Sequence, residues 1–133
     1  MMISIDKMKE LAEKEVKAEK ELAKIQYNKD LVTYRARLKE VKPKLMEYIE
    51  KCIYNGIKNN SKITLYCCHV DDMFKPIIDY GDNLLYYLAD PALEPYDAYT
   101  TALKELADDV RQELFKAGVM AIIKQGSSII LEI

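Results

Sequence analysis

The chain has 133 residues, half of them apolar, which is enough for one domain with its own core. Its three cysteines are odd in number and two are adjacent, which argues against a disulfide framework and for a reducing compartment. There is no signal-peptide pattern and no apolar run near the ~18 residues of a spanning helix. We therefore expect a single soluble domain, residues 1–133, in the cytoplasm and without a membrane partner.

The net charge of −2 conceals an asymmetry between the two halves of the chain. Residues 1–62 carry a net charge of +5 and residues 63–133 a net charge of −7. Attraction between the halves within one molecule is the simplest explanation. Head-to-tail packing of subunits, or a surface for a charged partner, would produce the same split.

Residues 1–30 are predicted to form a charged contact helix. Leu11, Ala18, Ile25 and Val32 recur every seven residues, whereas the companion positions alternate between apolar and charged side chains. This half-filled heptad pattern predicts a narrow apolar seam. A turn at residues 28–30 would fold the seam onto its own domain; without a turn, one helix runs through and the seam is left for a second subunit. The candidate oligomer interface comprises Met8, Leu11, Leu22, Ile25 and Val32.

Residues 31–133 are predicted to form an α+β core around an amphipathic helix that spans 31–57. Pro43 interrupts that helix without shifting its apolar stripe, so we expect a kink or a fresh helix start there. Asn55-Gly56 is typical of a left-handed helix end. A β-rich strand is predicted over 62–70 and a helix over 95–117, with Gly118 as its cap.

The chain ends in two β-rich runs, 119–125 and 128–133, joined by Gly126-Ser127 as a two-residue hairpin turn. In that register Ile122 faces Leu131, and Ile123 faces Ile130. The predicted fold class is α+β: long N-terminal helices pack on a small three-stranded sheet that ends in a C-terminal β-hairpin. The helices 31–57 and 95–117 are expected to cross one sheet face.

Residues 71–95 read as an acidic insertion that contains short helices, one after Asp72 and one from Asp82 to Leu88. Carboxylates and tyrosines mix here, which suits a protein-binding surface, although core tyrosines would produce the same composition. The candidate partner-binding residues are Asp79, Tyr80, Asp82, Tyr86, Tyr87, Asp90, Glu94 and Tyr96.

Catalytic chemistry has little support in the sequence. On a strand, Cys67 and His69 would point to one face, but they would be about 6.6 Å apart along it, too far to share a proton. His69 is the only histidine, and no metal-ligand spacing or phosphate loop accompanies it. We therefore predict a non-enzymatic protein without a metal or cofactor.

A basic helix over residues 24–44 supplies an alternative, nucleic-acid binding, with Arg35, Lys39 and Lys42 on one face. Glu40 interrupts this face and no aromatic platform lies within it. Nucleic acid is therefore the less favoured partner.

Two segments, GIKNNSKITLYC and LFKAGVMAIIKQGSSIILEI, carry a family resemblance. The order of helix, strand, helix ending in Lys-Ala-Gly and terminal hairpin resembles small phage- and prophage-encoded accessory proteins. The resemblance implies a viral protein that binds and inhibits a host defence protein in the host cytoplasm. A structural, oligomeric component of a virion is the other role that it implies.

Overall fold

The computed structural model describes residues 3–75, 77 and 81–133, except for the side chains of 81–83. Its elements, in chain order, are α1 Ile5–Leu38, α2 Val41–Asn59, β1 Ile63–Tyr66, α3 Cys67–Met73, α4 Gly81–Ala89, α5 Ala98–Ala117, β2 Ala121–Gln125 and β3 Ser128–Glu132. Long N-terminal helices and a three-stranded sheet with a C-terminal hairpin confirm the predicted α+β class.

Helix α1 is one continuous helix of 34 residues. Ser4 caps it, since its hydroxyl accepts a hydrogen bond from the Lys7 N–H at 3.3 Å. The turn considered for residues 28–30 does not form. Asp30 instead accepts a hydrogen bond from Gln26 one helical turn earlier, at 2.9 Å, so its side chain supports the helix rather than capping a new one.

Helix α2 makes a fresh start at Val41, after a two-residue break, as predicted for the region of Pro43. Pro43 lies in the first turn, where its missing N–H has no partner to lose. The predicted helix end at Asn55-Gly56 is wrong, because α2 continues to Asn59. Asn60 adopts the left-handed conformation (φ 51°) that ends it.

The sheet is antiparallel, with strand order β1-β3-β2. The hairpin register is confirmed: Ile122 pairs with Leu131 and Ile123 with Ile130. Gly126 has φ +62°, which is the conformation that the tight turn requires of its first residue. One sheet face is buried, and the other exposes part of Ile123.

Strand β1 is shorter than the predicted strand 62–70. It ends at Tyr66, and Cys67 opens α3 instead of continuing the strand. The Cys67 N–H still donates to the Ser127 carbonyl at 3.2 Å, and the chain then continues as helix α3. The helix buries Cys67 and Val70, three residues apart on one helical face, whereas the strand interpretation placed them on opposite faces.

The helices surround the buried face of the sheet. Helix α2 packs against β1 as predicted, but the helix that contacts β2 is α4, and α5 packs mainly against α1 and α4. Asp97 caps α5 by accepting from the Thr100 N–H at 2.7 Å, while the Thr100 hydroxyl accepts from the Asp97 N–H. The core runs from the sheet through α4 to α5.

Arg111 of α5 ties the end of α4 to the core. Its side chain is mostly buried and donates to the main-chain carbonyls of Leu88 (3.1 Å) and Tyr87, and to Asp108 at 2.6 Å. We expect Arg111→Met to lower the free energy of unfolding by about 2 kcal/mol, because two helix-terminal carbonyls lose a charged donor. Urea unfolding measures it, with Arg37→Met as the control, because Arg37 is exposed and its guanidinium contacts only the ring of Tyr34 among the contacts described for it. Equal, small effects of both changes would contradict this role.

Candidate functional site

The N-terminal part of α1 projects from the domain. Every residue from Ile3 to Lys29 is exposed, and the first buried side chain is that of Leu31. Hydrogen bonds from α1 side chains to α5 begin only with Tyr27, whose hydroxyl lies 3.0 Å from that of Thr101. We call residues 5–28 the arm. Among the described residues, no side chain before Tyr27 forms a hydrogen bond or ion pair with another element, so the helix of the arm depends on its own backbone hydrogen bonds.

Large apolar side chains form a line along the arm and beyond it to Val32. They are about half exposed or more, with Leu22 at 68% and Val32 at 65%. We call this line, together with the small Ala18 within it, the free stripe; it contains Met8, Leu11, Ala18, Leu22, Ile25 and Val32. It includes all five residues of the candidate oligomer interface, so the structure brings those residues onto one uncovered surface.

The free stripe and the face of α1 that packs on its own domain are distinct. The packed face consists of Tyr27, Leu31, Tyr34 and Leu38. At about 100° per residue, its centre lies roughly 180° from the centre of the free stripe. The helix therefore cannot bury both surfaces against one domain. Its own domain buries the packed face, and the free stripe stays exposed.

Ion pairs join the basic N-terminal helices to acidic residues of α5. Arg35 donates to both carboxylate oxygens of Glu105, at 2.8 and 2.6 Å. Lys42 lies 2.7 Å from Asp109 and 3.0 Å from Glu113. These hydrogen bonds raise the pKa of Arg35 and of Lys42 above their ordinary values. Two of the three cations proposed for a nucleic-acid face are therefore engaged within the molecule.

The acidic, tyrosine-containing segment is only partly a surface. Tyr87 is buried and its hydroxyl donates to the Glu94 carbonyl at 3.5 Å. Tyr86 is half-buried, with the Lys124 ammonium 3.9 Å from its ring centroid.

The remaining candidate residues of this segment divide into two groups. Asp90, Glu94 and Tyr96 are exposed, and Tyr96 is exposed to 78%. Asp79, Tyr80 and the side chain of Asp82 lie outside the described residues.

Of the predicted Cys67 and His69 pair, His69 lies beside a tyrosine of α2, Tyr48. The Tyr48 hydroxyl accepts from the Tyr66 N–H at 3.1 Å and lies 3.5 Å from His69 Nδ1. Burial raises the pKa of Tyr48 to about 12, and burial also raises the pKa of the Cys52 thiol. A protonated phenol and thiol suit a structural contact that closes the end of β1.

No family model, curated protein or solved structure matches the chain. Within the described part of the chain, no helix is both long and apolar enough to cross a bilayer. No group of three or more His, Cys, Asp or Glu among the described residues could hold a metal ion.

Proposed function

We propose that the protein is a non-enzymatic protein-binding module whose docking element is the arm, and that the arm binds a second copy of the same chain. The observation that carries this proposal is the free stripe, an apolar line on the face of α1 opposite its own domain. Single exposed apolar residues are ordinary, but a line of them at heptad spacing on a projecting helix is the pattern of a coiled-coil seam.

The energy available from the free stripe matches a reversible dimer. Two copies bring together ten large apolar side chains, each about half exposed in the single chain. Covering them contributes roughly 1 kcal/mol each. The cost of association is of the order of 4–15 kcal/mol. Against the low end of that cost, the gain leaves roughly 6 kcal/mol, so we expect a dimer with a dissociation constant of tens of micromolar, one that forms and dissociates with protein concentration.

A second copy fits better than a nucleic acid or a lipid surface. The arm mixes lysine and glutamate along its length, so it offers no continuous cationic face to phosphates. It does offer an apolar stripe flanked by both signs of charge, which is self-complementary when two identical helices pair.

The identity of any heterologous partner stays a prediction. For a phage-encoded inhibitor of a host protein, the feature that favours binding through residues 71–99 is the exposed ring of Tyr96 beside Glu94 and Asp97. A virion component that oligomerises through its arm is equally consistent with the proposal.

Sedimentation equilibrium of the full chain between ~2 and ~200 µM tests the dimer. We expect the mean mass to rise from that of one chain, 15.4 kDa, towards twice that value over this range. The far-UV circular dichroism at 222 nm should deepen with it, because pairing stabilises the arm helix. A constant single-chain mass up to ~200 µM would rule the proposal out.

A further inference from the structure

We infer that the two copies pair antiparallel and in one register, with Leu11 of each arm opposite Leu22 of the partner subunit. This inference rests on the proposed function and specifies its geometry. In this register Met8 lies opposite Ile25 of the partner subunit, and Glu15 lies opposite Ala18 of the partner subunit. The two α+β domains then lie at opposite ends of a two-helix rod.

The side chains of the free stripe select this register. Each large apolar residue between Met8 and Ile25 meets another large apolar residue of the partner. Glu15 is the one charged residue within that part of the seam, and it meets the small Ala18, which leaves room for its carboxylate to reach solvent. A parallel pair would instead stack Glu15 on Glu15 and Lys29 on Lys29, burying like charges at the seam.

The charges that flank the seam distinguish the antiparallel arrangement from the parallel one. In the antiparallel register Lys14 lies next to Glu21 of the partner subunit, and the two-fold axis produces this pair twice. In a parallel pair Lys14 would instead meet Glu19, and Glu21 would meet the uncharged Gln26. The sign of the charge at residue 21 therefore affects the dimer affinity in the antiparallel arrangement and hardly affects it in the parallel one.

The extent of exposure agrees with the extent of this pairing. The register overlaps the two helices over residues 4–29, and the uninterrupted exposed segment runs from Ile3 to Lys29. The overlap stops where α1 begins to pack on α5, beside Tyr27 and Leu31. Each arm thus covers the other over its whole projecting length and meets the partner's domain only at the tip.

A charge-exchange experiment tests the register by sedimentation. We expect Lys14→Glu and Glu21→Lys each to weaken the dimer about tenfold, since each creates two repulsive pairs. Combining the two should restore the affinity to near the wild-type value. The matched control exchanges Glu13 and Lys20, which are also seven residues apart but lie away from the seam. An unchanged affinity for Glu21→Lys, or no recovery in the double variant, would overturn the register.

A cross-linking experiment tests the orientation directly. Leu11→Cys and Leu22→Cys are made separately in a Cys68→Ser background, which removes the exposed native thiol, and are then mixed and oxidised. The antiparallel register predicts a disulfide between position 11 of one chain and position 22 of the other in the mixture, and none in either variant alone, as mapped by peptide mass spectrometry. Cross-links within each variant alone would mean a parallel dimer and overturn the inference while the proposed dimer stands. A wild-type chain that stays monomeric would defeat the proposed function itself.

Discussion

Replacing Leu22 and Ile25 by glutamate should convert the dimer to a single chain at every concentration up to ~200 µM. Both side chains lie in the free stripe, and the two copies together would bring four carboxylates into the seam. A charge buried in an apolar seam without a partner is strongly destabilising, so we expect the dissociation constant to rise at least about 100-fold. Sedimentation equilibrium measures this change.

The matched control for this experiment is Val16→Glu with Ala23→Glu. It adds the same two negative charges to exposed positions of the arm, but on a side of the helix turned away from the free stripe. We expect the control to dimerise within about threefold of the wild type, because exposed charges contribute little. A control that dissociates while the Leu22 and Ile25 variant still dimerises would place the interface on the other side of α1 and refute the free stripe as the seam.

Features encoded by a few neighbouring residues could be predicted from the sequence. The Gly126-Ser127 turn fixes the hairpin register because only a tight turn with a positive φ fits between the two β-rich runs. Gly118 ends α5 in the left-handed conformation, as expected for a glycine after a long apolar periodicity. In these places the local signal and the final contacts agree.

Features that depend on distant contacts could not be predicted in the same way. The segment 67–70 has a β-rich composition, yet it forms the first turn of helix α3. In the helix, Cys67 and Val70 lie on one face and are both buried in the core. Gly56 has the usual sequence neighbours of a helix end, but its role is set by β1, which passes against it. Arg111 gives no signal in the sequence, since its partners are main-chain carbonyls of another helix.

The sequence predicted which residues form the candidate site, but it did not predict whether the domain covers them. The heptad spacing identified the residues of the seam, and two outcomes stayed open: a turn at 28–30 that covers the seam, or one helix that exposes it. The continuous helix α1 and its packing through Leu31 and Tyr34 select the exposed arrangement. That choice depends on which face of the helix fits α5, and heptad spacing alone does not carry this information.

Gly56→Val should cause a loss of stability larger than any other single change considered above. A Cβ atom at this position would lie 2.6 Å from Ile63 Cγ1 and 3.3 Å from the Ser61 carbonyl oxygen, so the backbone of α2 touches the start of β1. Glycine in a helix interior normally costs about 1 kcal/mol relative to alanine, yet here any side chain must displace the side chain of Ile63, which is buried in the core.

We expect a decrease of about 3 kcal/mol in the free energy of unfolding for Gly56→Val, in the range of severe overpacking. Urea unfolding should be measured in the Leu22→Glu, Ile25→Glu background, so that dimerisation does not add to the apparent stability. Asn55→Val is the matched control, because it adds a β-branched side chain at the preceding, exposed position of the same helix. Gly56→Ala should cost less on an Ile63→Ala background than on the wild type, since the closest atom is then gone. A Gly56→Ala variant that is more stable than the wild type would show that α2 and β1 can separate freely, contrary to the contact described here.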